Sequence, residues 1–225
     1  GEDGPTHHGV FDMTYLRSVP NLMIMTPADE AELVDMLHTA IQAKGPVAIL
    51  YPRGKGRGVP LPEVPSVLEV GKAQTRSTGT DVAILDFGRL GGVAEDAVEL
   101  LDEEGVSASV LNMRWVKPID TEAVFKAATS HGLLVTVEEN TGQGGAGAAV
   151  LETLDDLGVQ VPVLKLSIPD CFVTHGAMNM LLAEVGLTPE GVRDSVMERL
   201  LALNESPGIV EDEDHGAASS LRSTR

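Results

Sequence analysis

The feature that most constrains this chain is an alternation that begins at Asp81. Short, mostly apolar runs at 82–87, 108–113, 133–137 and 163–166 are separated by segments of helical period at 92–104, 121–130 and 147–157. A strand buried on both faces reads as a continuous apolar run, and a parallel sheet covered by helices buries its strands that way. Gly105 is placed to stop the first helix, and Asp120 to cap the second. Two more helices are expected at 178–185 and 190–203. Strand and helix in turn imply βαβ units, so 81–205 is expected to form a three-layer α/β/α domain.

Residues 1–54 carry the same theme in shorter form. An apolar run at 22–25 is followed by Thr26-Pro27, read as an N-cap and first helical residue, with Asp29, Glu30 and Glu32 near the helix start. Leu33, Met36, Leu37, Ala40 and Ile41 follow helical spacing and are expected in the core. Gly45-Pro46 ends that helix, and 47–51 reads as a strand buried in a parallel sheet. This is the latter part of an α/β domain whose first half would lie upstream. Residues 55–80 are rich in Gly, Pro and charge and read as an interdomain linker, with a short strand expected near 67–70. After Asn204 the pattern stops, and 206–225, with its Glu211-Asp212-Glu213-Asp214 run, is expected to be a disordered tail.

Composition narrows the partners. The formal net charge of −18 over 225 residues argues against nucleic acid, although an anionic metabolite needs only a local basic site. No apolar run reaches the roughly 18 residues of a membrane span, so no membrane partner is expected. Cys171 stands alone, which rules out a disulfide within the chain and fits a reducing, cytoplasmic setting; it is expected to be a small buried hydrophobe. Gly1 is not a start methionine, and a motif begins at once, so the natural N-terminus is expected to lie further upstream.

That motif is Asp3-Gly4-Pro5-Thr6-His7-His8-Gly9. Gly4-Pro5 forces a turn with a carboxylate before it and a hydroxyl and two imidazoles after it. Imidazole titrates near neutrality and can pass a proton or hold an oxygen. The plainer reading is a surface turn with solvated histidines. Arg53 follows Tyr51-Pro52 at the C-terminal end of an expected parallel strand, the edge where open α/β sheets place ligands. Its fork of donors matches a phosphate, though an ion pair at a loop start would use it equally well.

The opening motif, continued through Phe11-Asp12, Tyr15-Leu16-Arg17 and Pro20-Asn21, resembles the 1-deoxy-D-xylulose-5-phosphate synthase family of the transketolase superfamily. Met25-Thr26-Pro27, Tyr51-Pro52-Arg53-Gly54, Val116-Lys117-Pro118, Val137-Glu138-Glu139-Asn140 and Gly144-Gly145-Ala146-Gly147 carry the resemblance onward to about Leu203. It implies part of a transketolase-like pyrimidine-binding α/β domain at 1–54, followed by the transketolase C-terminal domain at 81–205. It also implies thiamine diphosphate and Mg²⁺ as cofactors, both bound mainly by residues upstream of this chain. The implied substrates are pyruvate and glyceraldehyde 3-phosphate, condensed with loss of CO₂, in a homodimer. By the same resemblance Asp3 hydrogen-bonds substrate, His7 handles a proton and positions substrate, and Arg53 holds the aldose phosphate. His8 stands where the pattern often has glutamine and is given a supporting role.

Other motifs point to packing. The Gly-rich stretch 141–147 lies between a strand and a helix, where a phosphate cradle is conceivable, but it matches neither a P-loop nor a dinucleotide fingerprint. It is read as a structural helix start. Glu138 and Glu139 are strand neighbours and point to opposite faces, so they are not expected to share a ligand. His175-Gly176 is read as a loop start that could lie near a ligand, and no residue set has metal-ligand spacing. Other readings are a different member of the superfamily, such as transketolase or a 2-oxoacid dehydrogenase β-type subunit, and a non-catalytic subunit or assembly module.

Overall fold

The computed structural model describes residues 1–205; the expected tail at 206–225 lies outside them. Helix α1 (Asp12–Arg17) precedes strand β1 (Met23–Met25), helix α2 (Glu30–Gln42) and strand β2 (Val47–Ile49). A long crossing leads to β3 (Gln74–Ser77), β4 (Val82–Phe87), α3 (Gly91–Glu103), β5 (Ala108–Asn112), β6 (Trp115–Lys117) and α4 (Thr121–Ser130). The chain ends with β7 (Leu133–Thr141), α5 (Ala146–Leu157), β8 (Val163–Ile168), α6 (Met178–Glu184) and α7 (Pro189–Glu205).

The second unit is an α/β/α sandwich. Its sheet has the order β3-β5-β4-β7-β8, parallel throughout except for β3 at the edge. Every residue of β4 and β5 is buried. Val82 and Ile84 pack toward α3 and α7, while Ala83, Leu85 and Phe87 pack toward α4 and α5. Asp120 caps α4 as expected, accepting from the Ala123 amide at 3.0 Å and also from Ala73 N at 2.9 Å.

The sequence reading misses two strands and places a third wrongly. Within the expected linker, Gln74–Ser77 forms β3; its polar residues show no alternation, and pairing with β5 alone makes it a strand. The strand expected at 67–70 does not form, and Val67 and Val70 are exposed. β6 is the more consequential omission. It leaves the second unit and pairs antiparallel with β1, so the first unit's sheet runs β2-β1-β6. Trp115 packs there against Met25 and Met36, and Met13, Ile24, Leu85, Phe87 and Val116 share one apolar cluster. The two units therefore share both a sheet and a core.

Three local expectations for the first unit are corrected. Asp29, not Thr26, caps α2, because its side chain reaches the Glu32 amide at 2.8 Å. Leu37 and Ile41 are exposed, since α2 turns Glu32, Met36 and Thr39 inward. β2 is an edge strand of intermediate burial, not one covered on both faces.

The inward face of α2 carries the polar link between the units. Glu32 accepts from Ala28 N at 2.8 Å, from Asn112 Nδ2 at 2.9 and 3.0 Å, and from Arg114 Nε at 2.6 Å. Removing one partner of a buried ion pair leaves the other charge uncompensated, which costs about 3–5 kcal/mol. Glu32→Ala is therefore expected to destabilise the chain by about that amount, read from urea unfolding, and a loss below about 1 kcal/mol would contradict the role given to this link.

Two further carboxyls are buried with their protons favoured. Glu138 sits at the start of α5 and accepts from Ala146 N at 2.6 Å and Gly147 N at 2.8 Å, yet burial pushes its carboxyl up to about 7 against the pull of those amides. Asp86 in β4 has no hydrogen-bond partner for either oxygen among the described residues. Burial, reinforced by the nearby Glu32 carboxylate, raises it well above the usual carboxylate range. A carboxyl raised on folding binds its proton more tightly folded than unfolded, so it costs stability as pH rises above the unfolded value. Asp86→Asn removes that cost at a site with no hydrogen bond to lose. The variant should gain stability relative to the parent as pH rises above the unfolded carboxylate value of about 4, and a difference that stays flat from there to neutral pH would contradict this account.

Candidate active site

The opening turn is built as its residues suggest. Gly4 adopts φ +82° and is buried, and its carbonyl accepts from the His7 amide at 3.0 Å. Gly9 turns the chain again at φ +70° into α1. The Thr6 hydroxyl and His7 Nδ1 are hydrogen-bonded at 2.8 Å. With that hydroxyl donating, the neutral ring carries its proton on Nε2. The His8 ring bonds through Nε2 to the Gly1 carbonyl at 3.1 Å, so it braces the turn.

Asp3, His7 and Arg53 line one cleft of about 700 Å³. Arg53 forms an ion pair with Asp3 across the mouth, with 79% and 50% of the two side chains exposed. Some fifty residues of sequence thus converge at one rim. The cleft lies between the two units. Leu50–Gly54, just beyond β2, and Thr26, just beyond β1, supply one wall. Phe87–Arg89 at the end of β4 and Glu139-Asn140 in the last turn of β7 supply the other. Both walls come from C-terminal strand edges, where diverging loops leave room for a ligand.

Several groups here escape the sequence reading. Arg89 binds Glu139 in two hydrogen bonds, Nε to Oε2 at 2.5 Å and Nη2 to Oε1 at 3.1 Å. The strand-edge rule that singles out Arg53 applies equally to Arg89, two residues past β4. Thr26 Oγ1 and Asn140 Oδ1 are buried at the cleft without a partner among the described residues. Ala177 and Met178, at the start of α6, close one side. The preceding loop leans on the opening turn: Gly176 N donates to Gly1 O at 3.1 Å, and Phe172 meets Phe11 edge to face at 6.1 Å. Cys171 in that loop is exposed, not buried as expected, because the loop runs over the surface. Arg57, close to Arg53 in sequence, pairs instead with Glu95 at 3.4 Å and does not line the cleft.

Glu138 and Glu139 do part to opposite sides. Glu139 faces the cleft, whereas Glu138 is buried at the α5 N-terminus. The Gly-rich loop serves that carboxylate: a Cβ on Gly145 would collide with Glu138. α1 clamps the same loop, with Arg17 Nη1 donating to Gly144 O at 2.6 Å and Gly145 O at 2.9 Å. The helix start therefore holds the chain's own carboxyl group. The residues of this loop do not fit a cofactor diphosphate, and among the described residues no cluster of His, Cys, Asp or Glu has the arrangement to hold a metal ion.

Comparison with known proteins places these walls. The family model for the transketolase pyrimidine binding domain matches residues 1–58, and that for the transketolase C-terminal domain matches 71–192. The chain is 48% identical to 1-deoxy-D-xylulose-5-phosphate synthase of Gloeobacter violaceus over 89% of its length, and 50% identical to that of Thioalkalivibrio sulfidiphilus over 89%. It spans about a third of these curated relatives, 32% and 30% of their respective lengths. Among solved structures it resembles a split gene transketolase, described as an inactive beta4 tetramer, at 33% identity and TM-score 0.78, covering 88% of this chain and 64% of that one. Transketolase of Pichia stipitis with sedoheptulose-7-phosphate shares the fold, at 20% identity and TM-score 0.69, over 91% of this chain and 29% of that one. The two family models together carry every residue of the Asp3, His7, Arg53, Arg89 and Glu139 constellation, and one alone covers more than half of the 225 residues: the chain belongs to the transketolase family.

Proposed function

We propose that this chain forms part of a 1-deoxy-D-xylulose-5-phosphate synthase, a transferase condensing pyruvate with glyceraldehyde 3-phosphate with loss of CO₂. The observation that carries the reading is the meeting of Asp3, His7 and Arg53 in one cleft. Relatives of that name at 44–50% identity support it. In this reading thiamine diphosphate supplies the carbanion chemistry when bound. Its diphosphate and Mg²⁺ are held by residues other than these, since the Glu138 carboxylate already occupies the α5 start. The assembled enzyme is a cytoplasmic homodimer.

The chain's own residues handle the aldose. Arg53 grips the phosphate with the guanidinium edge that Asp3 leaves free. Asp3 orients a substrate hydroxyl, and also holds Arg53 in place before substrate arrives. His7 moves a proton at the oxygen that was the aldehyde. A second reading has the chain acting as one subunit of a split enzyme; the likeness to the split gene transketolase favours it. An in-frame cofactor domain immediately upstream in the DNA would decide for the first reading, and a separate cofactor-domain gene for the second.

Two expectations test the site. In the complete protein Arg53→Gln should raise KM for glyceraldehyde 3-phosphate by at least about tenfold, the worth of a lost charge-assisted contact, with the KM for pyruvate little changed. His7→Ala should lower kcat by about 10²–10⁴, the range of a general acid or base. Steady-state kinetics with both substrates varied gives these values. An Arg53→Gln defect confined to pyruvate would overturn the phosphate role, and unchanged kcat in His7→Ala would overturn the proton role.

A further inference from the structure

Both walls of the cleft carry an arginine, and the reading above uses only one. Arg53 stands on the rim, mostly in solvent, in a single ion pair of the exposed kind that contributes about 0–1 kcal/mol. Arg89 lies deeper, with 24% of its side chain exposed, and its partner Glu139 is 30% exposed. Register explains why they meet. Phe87 of β4 pairs with Glu138 of β7, so the residues that follow leave neighbouring parallel strands side by side. Gly88, at φ +83°, then turns the chain beneath Thr26, where a Cβ would stand 3.3 Å from the threonine Cβ. This tight turn fixes where Arg89 starts.

The pairing geometry is selective. Glu139 takes the Nε and Nη2 donors of Arg89 and leaves Nη1 without a protein partner among the described residues. A guanidinium has five N–H groups in a rigid fork, so one carboxylate satisfies only part of it. Arg89 is thus held in orientation with donors to spare, in a partly dry cleft. A phosphate dianion entering a protein of net charge −18 meets long-range repulsion, and one solvent-exposed guanidinium is a weak counterweight.

We propose that Arg89 is a second anion-binding residue of this cleft, pre-set by Glu139 to hold the substrate phosphate from the second unit's wall while Arg53 holds it from the first. The inference rests on the phosphate reading of the cleft given above. It makes the phosphate a bridge between the units, so substrate selection draws on both.

The test titrates the 225-residue chain with glycerol 3-phosphate, with glycerol as control, at low ionic strength. Amide chemical shifts report both binding and the folded state. The parent, Arg53→Gln, Arg89→Gln and Arg89→Lys are compared; the lysine keeps the charge and the ion pair but loses the fork. The expected result is at least about tenfold weaker binding for Arg89→Gln, an intermediate loss for Arg89→Lys, and a loss for Arg53→Gln as well. Binding by Arg89→Gln equal to the parent, with Arg53→Gln impaired, would overturn the role of Arg89 and leave the phosphate reading standing. No preference of the parent for glycerol 3-phosphate over glycerol would overturn the phosphate reading itself, and this inference with it.

Discussion

A cleft between two units has a shape only if the units hold a fixed relation, and here that relation runs through one buried carboxylate. Glu32 belongs to α2 of the first unit. It takes hydrogen bonds from Asn112 and Arg114, which flank the step from β5 to β6 in the second. That step carries Trp115 into the first unit's core and lays β6 beside β1. The apolar cluster supplies most of the burial energy, but such contacts are non-directional. The ion pair and its amide partners fix how α2 is set over the strands, and with it the wall that bears Thr26 and, beyond β2, Arg53. Asp86 is what this arrangement leaves without a partner: a carboxyl in the same region with no donor of its own, pushed toward its neutral form by burial.

A second constraint decides where a ligand is not held. A glycine-rich turn leading into a helix is the usual place to look for a phosphate, because the first amides of a helix are unpaired donors. In this chain Glu138 fills that position from within, and Gly145 is there because a side chain would strike its carboxyl group. The loop is instead a fastening. Thr14 and Arg17 of α1 bond its carbonyls, so the helix that follows the opening turn is anchored to the second unit. In the proposed reading the anion is held instead by guanidinium groups in the cleft.

The fold was legible where burial alone sets the pattern. β4 and β5 are largely apolar runs buried along their whole length, and Asp120 is a cap by its position before a helical period. What escaped is set by distant partners. β3 is a strand only because β5 offers it an edge, and β6 is three residues long and crosses to another sheet. Thr26 looks like a cap from its neighbours, yet Asp29 is the residue whose carboxylate reaches the Glu32 amide. The candidate site shows the same division. Asp3, His7 and Arg53 were found because their types and motif are distinctive, while Arg89 and Glu139 come from strand ends whose adjacency depends on sheet order. Cys171 was misjudged because cysteine is usually buried, and nothing local marks its loop as one that runs outside.

The sheet order also accounts for how a strongly acidic protein could present the anion site proposed above. Net charge acts at long range and is screened within about 10 Å at moderate salt, whereas a guanidinium in a cleft acts at contact. The two parallel strands β4 and β7 end side by side, which sets one arginine against one glutamate in the cleft wall; β2 ends across from them with the other arginine near Asp3. Each cation is neutralised by a carboxylate in the free protein, so neither stands as an unpaired charge in a partly dry site. An incoming phosphate then competes with a carboxylate that is already in place, rather than with bulk water, and the competition favours a ligand with more acceptor oxygens than a carboxylate has. In the proposed reading, selectivity for a phosphorylated substrate over a simple acid would follow from that exchange.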